Sequence, residues 1–288
     1  MNYHRVRIDD ERRLVVNADE SFFDLTRANE GISRFRDLAK IATTMDTGTD
    51  AVARHLIEDR NRVDPAVIET ASLPVVADEV WAAGVTYQIS EEARESESSM
   101  PEMYLDVYES DRPELFFKAT PSRTVGPNEA VGIRGDSTWD VPEPELGIVL
   151  YYGDIIGYTI GNDMSSREIE GSNPLFLPQA KVYDRCCALG PSVASIETIN
   201  DPHDLHMEIE IRRDGKQIFD DATSTGEMAR SCEELVSYFN RHNKAPELAV
   251  LMTGTALVPD DEFTLQPDDE IEIFIENIGT LENQVTVV

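Results

Sequence analysis

The chain has 288 residues, 56 of them acidic against 25 basic, giving a formal net charge of -31 and an isoelectric point near 4.3. That balance excludes a phosphate-binding surface, which needs clustered Lys and Arg, and with it nucleic acid or an anionic membrane as a partner. No apolar run approaches the roughly 20 residues of a membrane span and no amino-terminal segment reads as a signal peptide, so a soluble, cytoplasmic protein is expected.

The acids run the length of the chain, and lysine occurs only at Lys40, Lys118, Lys181, Lys216 and Lys244. Self-repulsion on that scale needs screening. Salt shortens the screening length to about 3 Å at 1 M, so the composition predicts a halophilic protein that loses stability on dilution. Cys186, Cys187 and Cys232 form neither an even framework nor a CxxC pair and read as small buried thiols.

Taken in chain order, residues 1–73 are mixed, with helical spacing in GISRFRDLAKIA and again in AVARHLIEDRNRV, and predict a small N-terminal α/β domain. Residues 74–288 are expected to form the larger, β-rich domain. Within it WAAGVTYQIS leads into EEARESESSMPE at 91–102, a polar stretch without apolar period, read as a surface loop or helix that could serve as a lid. Strands dominate the rest. LGIVLYYGDIIGYTIG holds two apolar runs around Tyr152, Gly153 and Asp154, and LHMEIEIRRDGKQIF alternates on both sides of Asp214-Gly215. EIEIFIENIGTLENQVTVV adds two more. One helix interrupts them, where Ser231 and Glu234 form a capping box before LVSYF. The predicted class is α+β and β-rich, without repeats, GxGxxG or P-loop.

The stretch DVPEPELGIVL carries the first chemical signal. Each proline fixes its own φ and extends the residue before it, so Glu143 is doubly constrained and projects to the same side as Glu145. A three-residue turn centred on Gly153 would oppose Glu143 to Asp163 and Glu145 to Gly161, a glycine that leaves room; a two-residue turn would send Asp163 to the other face. Three converging carboxylates, with oxygen ligands only, suit Mg²⁺ or Mn²⁺ with positions left for water and substrate. The competing reading is three more acids on an acid-rich surface; the proline lock and the apolar strand behind it favour metal. Arg167 follows Asp163 by four residues, and Lys181 is a lysine kept where the composition prefers arginine, as suits a compact point charge; a surface salt bridge is the alternative for each.

PEPELGIVL, GYTIGNDMSSRE, KVYDRCCALGPSV, LMTGTALVP and IENIGTLENQV resemble, in this order, the signature blocks of the fumarylacetoacetate hydrolase family. The resemblance covers about residues 80–288. It implies a β-roll-like catalytic core and a divalent metal, Mg²⁺ or alternatively Mn²⁺, held by Glu143, Glu145 and Asp163. Hydrolases of the family carry a His three residues after the tyrosine of a GxNY motif, and that His helps activate water. In GVTYQISEE the tyrosine is Tyr87 and the His position is Ser90, so hydrolytic cleavage lacks its base. TYQIS, RPELFFKATPSRTVG and NPLFLPQAKVYDRCCALGP are instead similar to the branch that dehydrates 2-keto-3-deoxy-pentonates such as the arabinonate and xylonate. Ser166 and Glu168 stand where the wider family has Ala and Asp, a change expected to touch neighbours of the metal rather than its ligands.

The resemblance therefore implies dehydration of a 2-keto-3-deoxy-pentonate to 2,5-dioxopentanoate through a metal-stabilised enolate. Glu114, in RPELFF, is implied as the proton-transfer residue, and Lys181 as a holder of enolate charge. Tyr87, Ser90, Lys118, Gln179 and Thr255 are candidate substrate contacts, and Arg167 a brace behind the metal carboxylates. Thr255 lies in TGT, whose glycine permits close backbone approach. By the same analogy a homodimer or homotetramer is expected. An acylpyruvate hydrolase of the same family and a non-catalytic metal-binding protein are the alternatives.

Overall fold

In the computed structural model, which describes residues 1–87 and 106–288, Tyr152 and Gly153 both take left-handed φ, 49° and 90°. A two-residue hairpin turn needs that pair of angles to match the right-handed twist of its strands. It joins Pro144–Tyr151 to Asp154–Asp163. The turn expected over three residues is thus one of two, which alone would put Asp163 on the wrong face. A bulge corrects this: Leu150 opposes Ile155, Val149 opposes Gly157, and Ile156 is the surplus residue between them. Beyond the bulge Glu145 opposes Gly161 and Pro144 opposes Asn162. The expected register is recovered by a different route.

This hairpin sits in the middle of the largest sheet. In hydrogen-bonded order its main path runs Arg62–Val63, Ser21–Asp24, Glu11–Ala18, Asn2–Ile8, Cys187–Ser195, Asp154–Asp163, Pro144–Tyr151, Leu248–Met252, Glu79–Gly84 and Glu114–Ala119. Every residue of Pro144–Tyr151 and of Cys187–Ser195 is buried, so both faces of the central strands are covered. The strands of segment 1–73 extend this sheet through Asn2 opposite Ala194 and Tyr3 opposite Val193. Helix Phe35–Thr44 lies over it, with the Phe35 ring 5.3 Å from that of Tyr3. The second N-terminal helix is shorter than its spacing predicts. It spans Thr49–Arg54 and gives way to the strand Arg62–Val63, because Val63 pairs with Phe22 at the sheet edge.

A second sheet runs Lys216–Ser224, His206–Arg213, Glu270–Ile275, Gly279–Val287 and Val131–Ile133. Its strands alternate as predicted, Ile271, Ile273 and Ile275 being buried while Glu270 and Glu272 point outward. Asp214 and Gly215 close the first hairpin with φ of 52° and 71°. Outside, the register lines up Asp220, Glu210, Glu272 and Glu282 across four strands. Partial burial first, then the carboxylates of Glu282 and Glu210, raise the Glu272 pKa. Like charges placed opposite each other destabilise a sheet, so this row is where low salt is felt most directly.

Ser231 caps helix Cys232–Asn240 by accepting from the Glu234 amide at 3.1 Å, while the Glu234 carboxylate pairs with Arg230 at 2.8 Å. All three cysteines are free and buried. Burial raises the Cys187 thiol far above its usual range and pushes Cys232 up to about 12. Among the described residues no helix is long and apolar enough to cross a membrane. The segment expected as a lid, 91–102, lies outside the described residues, as does Ser90.

His4, buried in Asn2–Ile8, gives a pH signature. Burial lowers its pKa from 6.5 to about 4, against a smaller upward pull from the Pro191 backbone. The folded chain keeps this imidazole neutral where the unfolded chain protonates it. Its contribution is therefore complete above pH 6.5 and is lost as pH falls toward 4, about 3 kcal/mol in all. At fixed high salt, urea unfolding of His4→Gln should lose correspondingly less stability than wild type between pH 7 and 4. Parallel pH profiles for the two proteins would refute the assignment.

Candidate active site

The strand Pro144–Tyr151 and the end of Asp154–Asp163 bring Glu143, Glu145 and Asp163 together with carboxylate oxygens within 4.8 Å of one another. The backbone fixes this pairing, since the Asp163 amide donates to the Glu143 carbonyl at 2.9 Å. All three side chains are buried, at 2%, 1% and 0% exposure, which sets them apart from the solvated acids elsewhere. Gly161, expected to leave room beside them, instead makes space for Met252, whose Sδ would lie 2.5 Å from a Cβ there.

Buried like charges need partners. Lys181, on Leu177–Lys181, donates to Glu143 Oε2 and to Ser165 Oγ, each at 2.6 Å, and lies 3.4 Å from Asp163 Oδ2. Arg167 Nη2 reaches Glu143 Oε1 at 2.9 Å, the position of a brace. Lys118 is fully buried, ion-paired with Asp163 Oδ1, and donates to the carbonyls of Met164 at 2.8 Å and Lys181 at 2.5 Å. Expected as a substrate contact, it pairs with Asp163 and is not among the pocket-lining residues. Of the five lysines, Lys40, Lys216 and Lys244 are exposed and only Lys118 and Lys181 are buried.

Glu145 accepts from the Gly254 amide at 2.6 Å but, among the described residues, has no cation as close as those on Glu143 and Asp163. Burial, then the charges of Asp163 and Glu143, raise its pKa well above the usual carboxylate range. A divalent cation at the point where the three meet would remove that repulsion. Their all-oxygen chemistry, burial and spacing fit Mg²⁺.

The pocket over these carboxylates is lined by Lys181, Arg167, Val85, Phe116, Thr255 and Val258 among others. Glu114 approaches from the neighbouring strand: it pairs with Gly84, and a Cβ at position 84 would lie 2.0 Å from Glu114 Oε2. Gly84 is thus the floor on which this carboxylate rests, a relation no motif announces. Thr255 lines the pocket while its hydroxyl accepts from the Leu257 amide at 3.0 Å. Tyr87 is fully buried and bridges to Met228; burial, then Glu145, raise its pKa. Gln179 is exposed, its carbonyl accepting from Arg134 at 3.1 Å, and it is not among the pocket-lining residues. Ser166 caps helix Arg167–Ser172, and Glu168 accepts from the Thr138 amide at 2.6 Å. Both tie the helix to segment 137–138 rather than to the three carboxylates.

With this geometry in place, comparison with known proteins is specific. Residues 79–286 match the family described as fumarylacetoacetate (FAA) hydrolase C-terminal. The chain is 61% identical over 289 residues, 100% of both sequences, to a probable 2-keto-3-deoxyxylonate dehydratase of Haloferax volcanii. It is 44% identical over 214 residues, 72% of each, to 2-dehydro-3-deoxy-D-arabinonate dehydratase of Saccharolobus solfataricus. Among solved structures, 2-keto-3-deoxy-D-arabinonate dehydratase complexed with magnesium and 2,5-dioxopentanoate matches at a TM-score of 0.82 and 32% identity, covering 100% of this chain and 99% of that one.

Proposed function

The chain belongs to the fumarylacetoacetate hydrolase family, and within it we propose that the protein dehydrates a 2-keto-3-deoxy-pentonate, the xylonate or arabinonate, to 2,5-dioxopentanoate. The observation that carries this reading is the buried Glu143, Glu145 and Asp163 cluster, with the Glu114 carboxylate resting on Gly84, a residue that lines the pocket over it. The three carboxylates would hold Mg²⁺, which supplies a Lewis acid that polarises the 2-keto oxygen and acidifies the C3 protons. Glu114 takes a C3 proton, Lys181 offsets negative charge on the substrate oxygens, and the 4-hydroxyl leaves as water after protonation. Transfer of a C5 proton to C3 then gives the C4–C5 enol, and passage of its hydroxyl proton to C4 leaves the aldehyde. Arg167 and Lys118 keep the carboxylates aimed while charge moves.

Incubation of the purified protein with 2-keto-3-deoxy-xylonate or the arabinonate and Mg²⁺ should release 2,5-dioxopentanoate, and EDTA should stop it. Cleavage of an acylpyruvate, with both pentonates left intact, would overturn the reading. A cytoplasmic homodimer or homotetramer is proposed with it, supported by the exposed apolar pair Leu175 and Phe176 beside the helix that carries Lys181; light scattering of the eluting protein measures the assembly.

A further inference from the structure

Val85 is the one β-branched residue with a left-handed backbone among the described residues, at φ 53°. The other non-glycine residues with positive φ are Asp, Asn, Glu, Tyr, Arg or His. A branched side chain is disfavoured in that conformation, and such strain persists only where the surroundings over-determine it. Here they do. On one side Gly84 is paired to Glu114 at the end of Glu79–Gly84. On the other, Thr86 donates to the Thr253 carbonyl at 2.6 Å and accepts from the Ala229 amide at 2.8 Å. Gly254 leaves the space that the Thr86 hydroxyl fills, since a Cβ there would lie 2.1 Å from it. The chain is pinned before and after Val85, and the residue is 4% exposed and lines the pocket that Glu145, Lys181 and Thr255 also line.

We propose that Val85 is a specificity-determining residue: its left-handed backbone sets an apolar wall beside Glu114, admitting 2-oxo acids whose C3 is a methylene and refusing those with a 3-hydroxyl. This rests on the dehydratase reading in one respect, that the carbon next to the keto group lies in the pocket that Val85 lines. A hydroxyl pressed on an aliphatic side chain loses its water without gaining a partner, a penalty of about 10- to 100-fold in affinity. A glycine or asparagine at position 85 would relax the backbone and surrender the wall.

The test uses the full-length, Mg²⁺-loaded protein and a pair of probes, 2-oxopentanoate and 3-hydroxy-2-oxopentanoate, titrated by calorimetry so that binding is read without turnover. Wild type should prefer the methylene compound by about tenfold or more. Val85→Thr keeps the branched shape and offers a hydroxyl, and should cut that preference by about tenfold. Backbone strain is read separately: Val85→Gly should melt about 2–4 °C above Val85→Ala, the reverse of the order at an ordinary buried position. An unchanged probe preference in Val85→Thr, or Val85→Ala melting above Val85→Gly, would overturn the assignment. Wild-type turnover of the pentonate is scored in parallel, so failure of the dehydratase reading shows as absent product while the probe preference still judges Val85.

Discussion

Replacing Glu145 with Gln is expected to abolish dehydration while making the metal-free protein more stable. The two effects have one origin. Glu145 is 1% exposed and faces Glu143 and Asp163, so without a cation its charge is a cost. The amide is nearly isosteric and can keep the Gly254 bond, so the cost is removed without a cavity. With Mg²⁺ the sign reverses, because one of three anionic ligands is gone and the keto group loses its polarising partner. Activity should fall roughly 1000-fold or more. In calorimetry Mg²⁺ should raise the melting temperature of wild type and leave that of Glu145→Gln nearly unmoved. A variant that stays fully active, or that melts lower than wild type in EDTA, would mean these carboxylates are a structural knot and not a metal site.

The second large effect is expected from one methyl group. Gly84→Ala places a Cβ 2.0 Å from Glu114 Oε2 and 2.8 Å from its Cδ, so the carboxylate must move off its floor. The obstacle is the end of a flexible side chain, and Gly84 lies outside the left-handed region, so folding should survive with little change in melting temperature. Turnover should not. Loss of a positioned proton-transfer group costs about 10²- to 10⁴-fold in kcat, and Glu114→Gln should show the same range. The double variant should be no slower than Glu114→Gln alone, since both changes disable one function. Additive losses would place Gly84 and Glu114 in separate roles.

How much of this was readable beforehand depends on the range of the interaction. The two glutamates on one face followed from proline stiffness and strand alternation, both local, and they lie where that pattern puts them. Asp163 was reached through a turn length that the structure replaces with a shorter turn and a bulge at Ile156. A bulge leaves no mark in an apolar run, because Ile155 and Ile156 are equally suited to either face. Nothing local in RPELFFKAT points Lys118 toward Asp163, because that buried partner lies far along the chain and no spacing rule spans the gap. Gly84 and Val85 were legible only as part of a strand-like stretch. Their relation to Glu114 depends on how two strands separated by a long connection come into register, which sequence periodicity does not encode.

The surplus isoleucine has a wider consequence. Between the tight turn and Asp163 the strand must contain a number of residues of the right parity, because successive side chains leave the sheet in opposite directions. Deleting a single position there would leave a hairpin of unchanged apolar character whose last carboxylate faces away from its two counterparts. Lengths in this arm can therefore change by two, or by one with a compensating residue in the turn, and an odd change alone yields a sound fold with no place for the cation.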